Sequence, residues 1–547
     1  MFPYPPTQEH LVTPAKAWFL ALLCATWVLT GLIGHDPWKP DEAYSFGLIY
    51  HILQSGDWLV PTLAGTPYMD KPPLFYMTAA LFAKLFYPVL ALHDGARLTS
   101  GFYTALTLLF TGMAGRELFG KGCGWAAVIV LIGCLGLLVR AHQIITDLAL
   151  LTGCAMMLYG YSLSLRRALP AGILLGMGMG MGFMAKGFIA PSLFLLISAA
   201  LLLFRAWRTR SFFSSLGIAL LSSLPWLAIW PCLLYLRSPQ LFMEWAWTLN
   251  IGHWLNYARS GHYAEAFYYL KILPWFAWPA LPLAAWTVWQ SRKKVWRAVE
   301  FQLPMVSFLV MLVTLSLLPN IKEVYALPLL LPLSLLAAAA LSTLRRGAAN
   351  ALDWFGIMTF GLLAILMWWG WAGLLLDNRA KITHWLKDYQ PGFEPAFHAT
   401  PFWIAIIATA LWVVLVWRVG RSMRRAIVNW ASGVILLWVL AMTLWLPWLD
   451  SGKSYRNMII SLKQALPAQH GCIGGEYLGD GQRAMLQYFG GITTQRNARR
   501  RCDWLLVQGN RVARSVGDKS EWKKIWEGSR TGDKFERYRL YQRNTIK

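Results

Sequence analysis

The chain has 547 residues, of which 57% are hydrophobic and only 14% are charged, and its formal net charge is +24. Soluble globular proteins have about 25% charged residues, so this composition excludes a cytosolic enzyme, and it equally excludes a disordered or fibrous chain. At about 20 residues per membrane crossing, the apolar content suffices for a dozen or more helices. We therefore expect an all-α polytopic membrane protein.

The excess positive charge is spread along the chain rather than collected in one soluble domain. Much of it lies in short clusters between apolar runs, a pattern that fixes the orientation of membrane helices. The basic stretch near the C-terminus can face anionic lipid headgroups. We thus expect membrane lipid as a partner and no nucleic acid.

Taken in chain order, thirteen apolar runs are suitable membrane spans. Six basic clusters fall at alternate ends of these runs, which predicts a bacterial inner-membrane protein with its N-terminus in the cytoplasm and its C-terminus outside. The runs lie near 15–34, 98–115, 124–140, 148–165, 170–185, 190–204, 212–232, 276–290, 302–318, 325–344, 354–375, 402–417 and 428–448. The clusters are Arg116 with Lys121; Arg166 and Arg167; Arg205, Arg208 and Arg210; Arg292, Lys293, Lys294 and Arg297; Arg345 and Arg346; and Arg418, Arg421, Arg424 and Arg425.

One further apolar run, 72–90, does not fit this count. Accepting it as a fourteenth span would move every later basic cluster to the outer face. Its Lys84 and its aromatic residues suit a helix that lies at headgroup depth. We therefore predict an interfacial or re-entrant helix here.

Three hydrophilic segments are predicted on the periplasmic side: the loops 35–97 and 235–275, and the tail 450–547. The chain is thereby divided into a transmembrane module, 1–449, and a small C-terminal domain. The tail combines a helical stretch around 455–466 with short alternating apolar stretches, which predicts an α/β domain.

Two of the seven cysteines, Cys472 and Cys502, lie in this tail. A periplasmic location is oxidising, so a disulfide between them is a hypothesis. The other five lie in or beside apolar runs and fit small core residues.

The first outer loop contains the densest polar signal of the sequence. Asp41 and Glu42 follow an apolar run directly, so two carboxylates are held at the membrane surface, and Asp70-Lys71 precedes two prolines. Simple structural explanations exist for both motifs. Acidic residues favour a helix N-terminus, and paired prolines end one element before the next begins.

Other ionisable residues recur at the outer ends of predicted spans. Asp147 opens the fourth span, Lys186 closes the fifth, and Lys322 and Tyr325 precede the tenth. Charged groups in apolar settings are costly and mark functional sites, although a snorkelling anchor explains any single lysine equally well. Because one topology puts all of them on one face, we predict that they converge on one outer cavity.

The residues of the first loop resemble a known family. The run DEAYSFGLIYHILQSGDWLVPTLAGTPYMDKPPLFY is similar to the first periplasmic loop of the lipid-A aminoarabinose transferases and their relatives in the protein-mannosyltransferase superfamily. The similarity continues through Thr146-Asp147, Ala185-Lys186-Gly187, Leu273-Pro274-Trp275 and the run 322–328. It covers most of the membrane part, whereas the tail matches only in kind.

The resemblance implies a fold and a reaction. The fold is the GT-C membrane glycosyltransferase architecture, with about thirteen transmembrane helices and a periplasmic C-terminal domain. The reaction moves a sugar from a polyprenyl-phosphate carrier to an acceptor, such as lipid A or another lipid-linked or envelope glycan, with inversion at the anomeric carbon. This donor needs no nucleotide, and the sequence contains no Gly-rich phosphate loop.

Candidate residues follow from this reaction class. A phosphate leaving group needs donors held in place beforehand, and an acceptor hydroxyl needs a base, for which Asp41 is the first candidate; if the acceptor is a phosphate, the role of Asp41 becomes electrostatic or structural. We predict as catalytic residues Asp41, Glu42 and Asp147; as ligands of the donor phosphate Lys71, Lys186, Lys322 and Tyr325; and as substrate-binding residues Tyr44, Tyr68, Asp70, His253 and His262.

Two points leave alternatives open. Tyr44 stands where the aminoarabinose branch has Arg, which removes a bidentate phosphate donor. In the middle loop Glu244, His253, His262 and Glu265 leave a divalent cation open as a cofactor, although their spacing is not compact. Beside the leading hypothesis we keep a protein O-glycosyltransferase of the same superfamily, a lipid or solute transporter, and a non-catalytic envelope assembly protein.

Overall fold

A computed structural model describes the chain at residues 14–252, 267–292, 294–317, 321–341, 343–376, 381–419, 425–496, 498–499, 501–509, 521–533 and 536–544. Most of these residues are helical. The α-helices are Pro14–Leu29, Asp41–Ser55, Leu74–Phe86, Leu92–Phe119, Lys121–Gly133, Leu135–Leu138, Asp147–Leu163, Ala168–Lys186, Ile189–Leu201, Arg210–Arg237, Pro239–Met243, Tyr268–Phe276, Ala280–Gln290, Val299–Ser316, Leu330–Ala340, Arg346–Leu375, Lys381–Tyr389, Ala399–Arg418, Arg425–Thr443, Leu446–Lys453, Arg456–Ala465 and Asp480–Met485. Shorter 3₁₀ segments are Arg140–His142, Arg205–Trp207 and Glu323–Leu329, and π-helical segments are Glu244–Gly252 and Leu486–Gly490.

Seven helices in the described ranges are long and apolar enough to cross a membrane, and an eighth is reached if one bent pair counts as a single span. The chain is therefore a multi-pass membrane protein, as its composition predicts, while the number thirteen stays a prediction. The bent pair replaces the predicted straight span 124–140: the chain turns by 76° between Lys121–Gly133 and Leu135–His142.

The segment predicted as an interfacial helix forms the helix Leu74–Phe86, of 13 residues. At 1.5 Å per residue it is about 20 Å long, which is shorter than the roughly 30 Å hydrocarbon layer. It packs between Asp41–Ser55 and Leu92–Phe119. A further short helix, Lys381–Tyr389, was not predicted, because the sequence around it has no long apolar run.

The C-terminal domain contains a five-stranded sheet, as the alternating pattern predicts. Its strands are β3 (Ile473–Glu476), β4 (Thr494–Arg496), β5 (Trp504–Gly509), β6 (Trp522–Gly528) and β7 (Arg537–Arg543), after a small hairpin of β1 (Thr62–Leu63) and β2 (Thr66–Pro67) in the first outer loop. The sheet order is β4-β3-β5-β7-β6, with β3 parallel to β4 and β5 and with β7 antiparallel to β5 and β6.

A disulfide joins Cys472, next to β3, to Cys502, next to β5. It links the two segments that precede a pair of parallel central strands. The oxidising compartment leads to the hypothesis of this disulfide, and the structure confirms that the two cysteines are bonded.

Two antiparallel helices bring polar residues to the same end of the pair. The helices Asp147–Leu163 and Ala168–Lys186 pack closely along their length. Glycine permits this close approach, since a Cβ atom on Gly153 would lie only 2.5 Å from the carbonyl oxygen of Gly178. A helix of 17 residues is about 25 Å long. Since Asp147 begins the first helix and Lys186 ends the second, both lie at the end of the pair away from the connecting Arg166-Arg167 turn.

The C-terminal domain packs on the first outer loop. Gly47 faces Ala484 so closely that a Cβ atom on the glycine would overlap it. The ring of Tyr488 lies 4.7 Å from that of Phe46, and its hydroxyl is 2.9 Å from His93 Nδ1. The helix that begins at Asp41 is therefore fixed by residues more than 400 positions later in the chain.

Candidate active site

Lys71 is a largely buried lysine of the candidate site. Pro72 and Pro73 end its loop, and the next helix begins at Leu74, as the paired prolines predict. The side chain of Lys71 is 12% exposed, and its Nζ donates a hydrogen bond of 2.8 Å to the Tyr44 hydroxyl. An ammonium group is thus held against a phenol on the neighbouring Asp41–Ser55 helix.

Lys71 stays cationic in this setting. Burial by itself would lower its pKa, but the polar groups around it outweigh burial, first the Tyr44 and Tyr76 hydroxyls and then the carboxylates of Asp147 and Asp70. The net result is a pKa above the ordinary value for lysine. A largely buried ammonium whose pKa is raised is the kind of group that stabilises a phosphate.

Asp147, Lys186 and Tyr325 form the second part of the site. Lys186 Nζ lies 2.7 Å from Asp147 Oδ1, with both side chains less than 10% exposed. The same ammonium lies 3.9 Å from the centre of the Tyr325 ring, which is a cation–π arrangement. These residues come from three separate helical segments, so their contact is a product of the tertiary fold.

The two parts form one cluster. Lys71 interacts electrostatically with Asp147 and with Lys186, and Tyr325 with Lys71, Asp147 and Lys322. The structure therefore brings Lys71, Asp147, Lys186 and Tyr325 near one another, and the side of the membrane on which they lie stays a prediction. Their functional roles remain predictions.

The other predicted residues, Tyr68 and Asp70 of the first loop and Lys322, lie at the edge of this cluster. Tyr68 is half-buried with its ring 6.1 Å from that of Tyr44, and burial together with Asp70 raises its pKa. Asp70 is 52% exposed and lies 3.9 Å from Lys71. Lys322 is exposed, and its carbonyl oxygen accepts a hydrogen bond from Tyr269.

Asp41 lies one helical turn before Tyr44 and is therefore on the same face of its helix. Its side chain is 27% exposed and lies 3.7 Å from the Arg140 guanidinium. Arg140 also donates to Gln143. Asp41 is thus accessible and held loosely by one cation, which leaves its carboxylate free to meet a ligand.

Glu42 has a different environment from its neighbour Asp41. It is fully buried, where it accepts hydrogen bonds of about 3 Å from Arg97 Nε, Ile144 N–H and Trp38 N–H. Consecutive helix residues point about 100° apart, so only one of the two carboxylates faces outward. This geometry favours a positioning role for Glu42 over the catalytic role that the sequence analysis predicts.

Arg97 is the cation that balances the buried carboxylate of Glu42. Its guanidinium is fully buried, and besides Glu42 it donates to Asp94 at 2.8 Å and to the carbonyl oxygen of His35 at 3.0 Å. Buried arginines are stable only when their donors are paired. This network fixes the segment that precedes the Asp41–Ser55 helix. The sequence pattern does not reveal it, because Arg97 borders an apolar run.

The structure describes only part of the predicted middle loop, 235–252 and 267–275. His253 and His262, predicted to bind substrate, and Glu265 lie outside the described residues. Glu244 is exposed in the π-helical segment. Within the ranges that the structure does describe, no group of three or more His, Cys, Asp or Glu side chains is placed to hold a metal ion.

A polar cavity of about 360 Å³ lies apart from this cluster, between the first outer segment and the start of the C-terminal domain. Asp36 lines it and is bound by Arg456 and, at 2.6 Å, by the Ser454 hydroxyl. Asp450 lines it too and accepts from Asp36 N–H at 3.0 Å and Trp38 Nε1 at 2.9 Å. The cavity marks the joint between the two parts of the chain, which the sequence pattern does not reveal.

Comparison with known proteins supports the resemblance. The chain is 28% identical over 447 residues, 78% of its length and 74% of the relative, to an undecaprenyl phosphate-alpha-4-amino-4-deoxy-L-arabinose arabinosyl transferase of Pseudomonas aeruginosa. It is 29% identical over 386 residues, 65% of its length and 66% of the relative, to the protein of that name from Edwardsiella ictaluri. No protein-family model matches.

A solved structure extends the similarity to the whole fold. The crystal structure of ArnT from Cupriavidus metallidurans bound to undecaprenyl phosphate aligns with a TM-score of 0.70 and 16% identity, over 97% of this chain and 98% of that one. The same protein in the apo state aligns with a TM-score of 0.69. The chain is similar to the aminoarabinose transferases in sequence and in fold. Its fold is the GT-C type that the resemblance implies, and with its apolar helices and bacterial relatives it is a multi-pass protein of the inner membrane.

Proposed function

We propose that this chain is an inverting membrane glycosyltransferase that moves a sugar from a polyprenyl-phosphate carrier, undecaprenyl phosphate, to lipid A or another envelope glycan. The observation that carries the proposal is the buried ammonium of Lys71, held by Tyr44 next to the Asp147–Lys186 pair. The printed names of the relatives supply the donor class.

The cluster suits the departure of a phosphate. When the bond between the anomeric carbon and the phosphate oxygen breaks, negative charge develops on the phosphate, and fixed cations stabilise it without reorganisation. Lys71 binds this phosphate, and Lys186, oriented by Asp147 and Tyr325, supplies the second positive charge. Lys322 can add a third from the exposed rim.

Asp41 serves the acceptor side. A carboxylate that is partly exposed and held only by Arg140 can accept the proton of an acceptor hydroxyl or orient the acceptor. Tyr44, in the place of an arginine, makes the acceptor region less cationic than in the aminoarabinose branch.

We place the cluster and the C-terminal domain on the periplasmic side, with the N-terminus in the cytoplasm. The Arg166-Arg167 turn at the opposite end of the Asp147–Leu163 helix supports this orientation, because basic turns remain in the cytoplasm. An alkaline phosphatase fused after Lys547 should be active and a green fluorescent protein dark. The reverse result would contradict the orientation.

The function is tested in a deletion strain complemented with the wild type, Lys71→Met or Lys84→Met. Lys84 is an exposed lysine on the helix that follows Lys71 and is the matched control. Mass spectrometry of lipid A and of the other envelope glycans should show one sugar that is present with the wild type and Lys84→Met and absent with Lys71→Met. A missing sugar on a protein would indicate the protein O-glycosyltransferase instead, and no missing sugar would contradict the enzyme and favour a transporter.

A further inference from the structure

Tyr76 is a buried tyrosine whose hydroxyl has no partner among the described residues. It lies in the first turn of the Leu74–Phe86 helix, is 1% exposed, and its oxygen makes no hydrogen bond there. A buried, unpaired hydroxyl costs about 1–3 kcal/mol, so such a group calls for an explanation.

The surroundings of Tyr76 point toward the site. Its strongest electrostatic neighbour is Lys71, followed by Tyr44, Asp70 and Tyr68. Lys71 in turn interacts electrostatically with both Tyr44 and Tyr76. Tyr44 already accepts a hydrogen bond from Lys71, whereas the hydroxyl of Tyr76 has no hydrogen-bond partner among the described residues.

Two other buried tyrosines of the helical part of the chain, Tyr103 and Tyr161, have hydrogen-bond partners. The hydroxyl of Tyr103 lies 3.1 Å from the Thr78 hydroxyl, and that of Tyr161 contacts the carbonyl oxygen of Phe194 at 2.9 Å and Ser198 at 2.7 Å. Among the described tyrosines, Tyr76 and Tyr538 of the C-terminal domain have a buried hydroxyl without a hydrogen-bond partner. Of these two, Tyr76 is the one that interacts with the proposed phosphate ligand, Lys71.

We propose that Tyr76 is a further substrate-binding residue, whose hydroxyl donates a hydrogen bond to the same phosphate that Lys71 binds. This inference rests on the proposed function, because it takes the phosphate of the polyprenyl carrier as the ligand. The neutral phenol remains protonated and contributes a directed donor, while Lys71 contributes charge. Binding of the phosphate satisfies the hydroxyl that is unpaired in the free protein.

The test compares Tyr76→Phe with Tyr161→Phe in the full-length protein in lipid nanodiscs. Both substitutions remove one buried hydroxyl and keep the ring. Dissociation constants are measured for undecaprenyl phosphate and for undecaprenol, which lacks the phosphate, and thermal unfolding is measured without ligand. A hydrogen bond to a charged group corresponds to a change in affinity of about tenfold or more.

Tyr76→Phe should weaken binding of undecaprenyl phosphate by about tenfold, leave undecaprenol unchanged, and leave the ligand-free unfolding temperature equal or higher. Tyr161→Phe should lower the unfolding temperature and leave both affinities unchanged. Equal losses for undecaprenyl phosphate and undecaprenol, or an unchanged affinity of Tyr76→Phe, would overturn the role of Tyr76 alone. A wild-type protein that does not bind undecaprenyl phosphate would overturn the proposed function and, with it, this inference.

Discussion

Asp147 and Lys186 lie 2.7 Å apart, at adjoining ends of two antiparallel helices. The Tyr325 ring covers the ammonium from a third segment. Buried ion pairs of this kind contribute little net stability compared with apolar packing, but the loss of one partner leaves an uncompensated buried charge. The pair therefore holds charge at a place where apolar side chains would give a more stable fold. Such a placement is typical of a functional site.

Single substitution of this pair should damage the protein more than double substitution. Lys186→Met or Asp147→Asn should each lower the free energy of unfolding by about 3–5 kcal/mol, and the double variant should recover part of that loss. Thermal unfolding in detergent measures the cycle. Lys524→Met, which breaks the exposed Lys524–Glu527 pair at 2.9 Å, is the control and should cost less than about 1 kcal/mol. Additive losses in the double variant would show that the pair does not interact.

Asp41 and Glu42 should separate into a functional and a structural carboxylate. Glu42→Gln removes the charge that balances the buried Arg97 and turns an N–H donor toward Trp38 N–H, so we expect a loss of about 3–5 kcal/mol in stability. Asp41→Asn affects only an accessible pair and should unfold at the wild-type temperature. With a hydroxyl acceptor, Asp41→Asn should lower the transfer rate by about 10²–10⁴-fold.

Unfolding curves and initial transfer rates of the two variants decide this. An Asp41→Asn variant that is unstable, or a Glu42→Gln variant that is stable but inactive, would reverse the assignment. A stable Asp41→Asn variant with full activity would show that the acceptor does not need a base.

The contact between Arg456 and Asp36 should hold the C-terminal domain on the first outer loop. Arg456→Met leaves the carboxylate of Asp36 with Ser454 and His93 as neighbours, and the joint should open more often. Limited proteolysis should then cleave the chain near 450–456 faster than in the wild type. Arg496→Met breaks an ion pair with Asp480 inside the domain and should leave this cleavage unchanged. Equal cleavage of wild type and Arg456→Met would contradict the role of this contact.

Asp450 should make stability depend on pH. Burial, with the nearby charge of Asp36, raises its pKa from 3.8 to about 6. The folded state therefore binds more protons than the unfolded state between these values, so stability falls as the pH rises from about 4 to about 6 and the full penalty applies above that. Asp36 has a pKa below its ordinary value, where Arg456 and Ser454 outweigh burial, so its contribution is lost only below this window.

Asp450→Asn should remove the penalty, because an amide oxygen still accepts from Asp36 N–H and Trp38 Nε1. We expect the variant to be more stable than the wild type by about 3 kcal/mol at pH 7.5 and close to it at pH 4. Unfolding curves at both pH values measure the difference. A stability gain that is the same at both pH values would contradict a titrating Asp450.

The sequence predicts those features that depend on local pattern or on topology. Apolar runs located the long helices, and the alternation of helix ends placed Asp147, Lys186 and Tyr325 on one face. The sequence could not decide which of Asp41 and Glu42 points outward, because that depends on the rotation of the helix against Arg97. It also missed the contact of Asp36 with Arg456, since no local pattern reports a pairing across 420 positions.

The most direct test of the central role of Lys71 is the initial rate of sugar transfer by purified protein. Full-length wild type, Lys71→Met and Lys84→Met are supplied with the same undecaprenyl-phosphate sugar, taken from the glycan that the deletion strain lacks, and with its acceptor. We expect equal rates for wild type and Lys84→Met, and a rate at least about 10²-fold lower for a correctly folded Lys71→Met. A Lys71→Met protein that folds and transfers sugar at the wild-type rate would contradict this expectation.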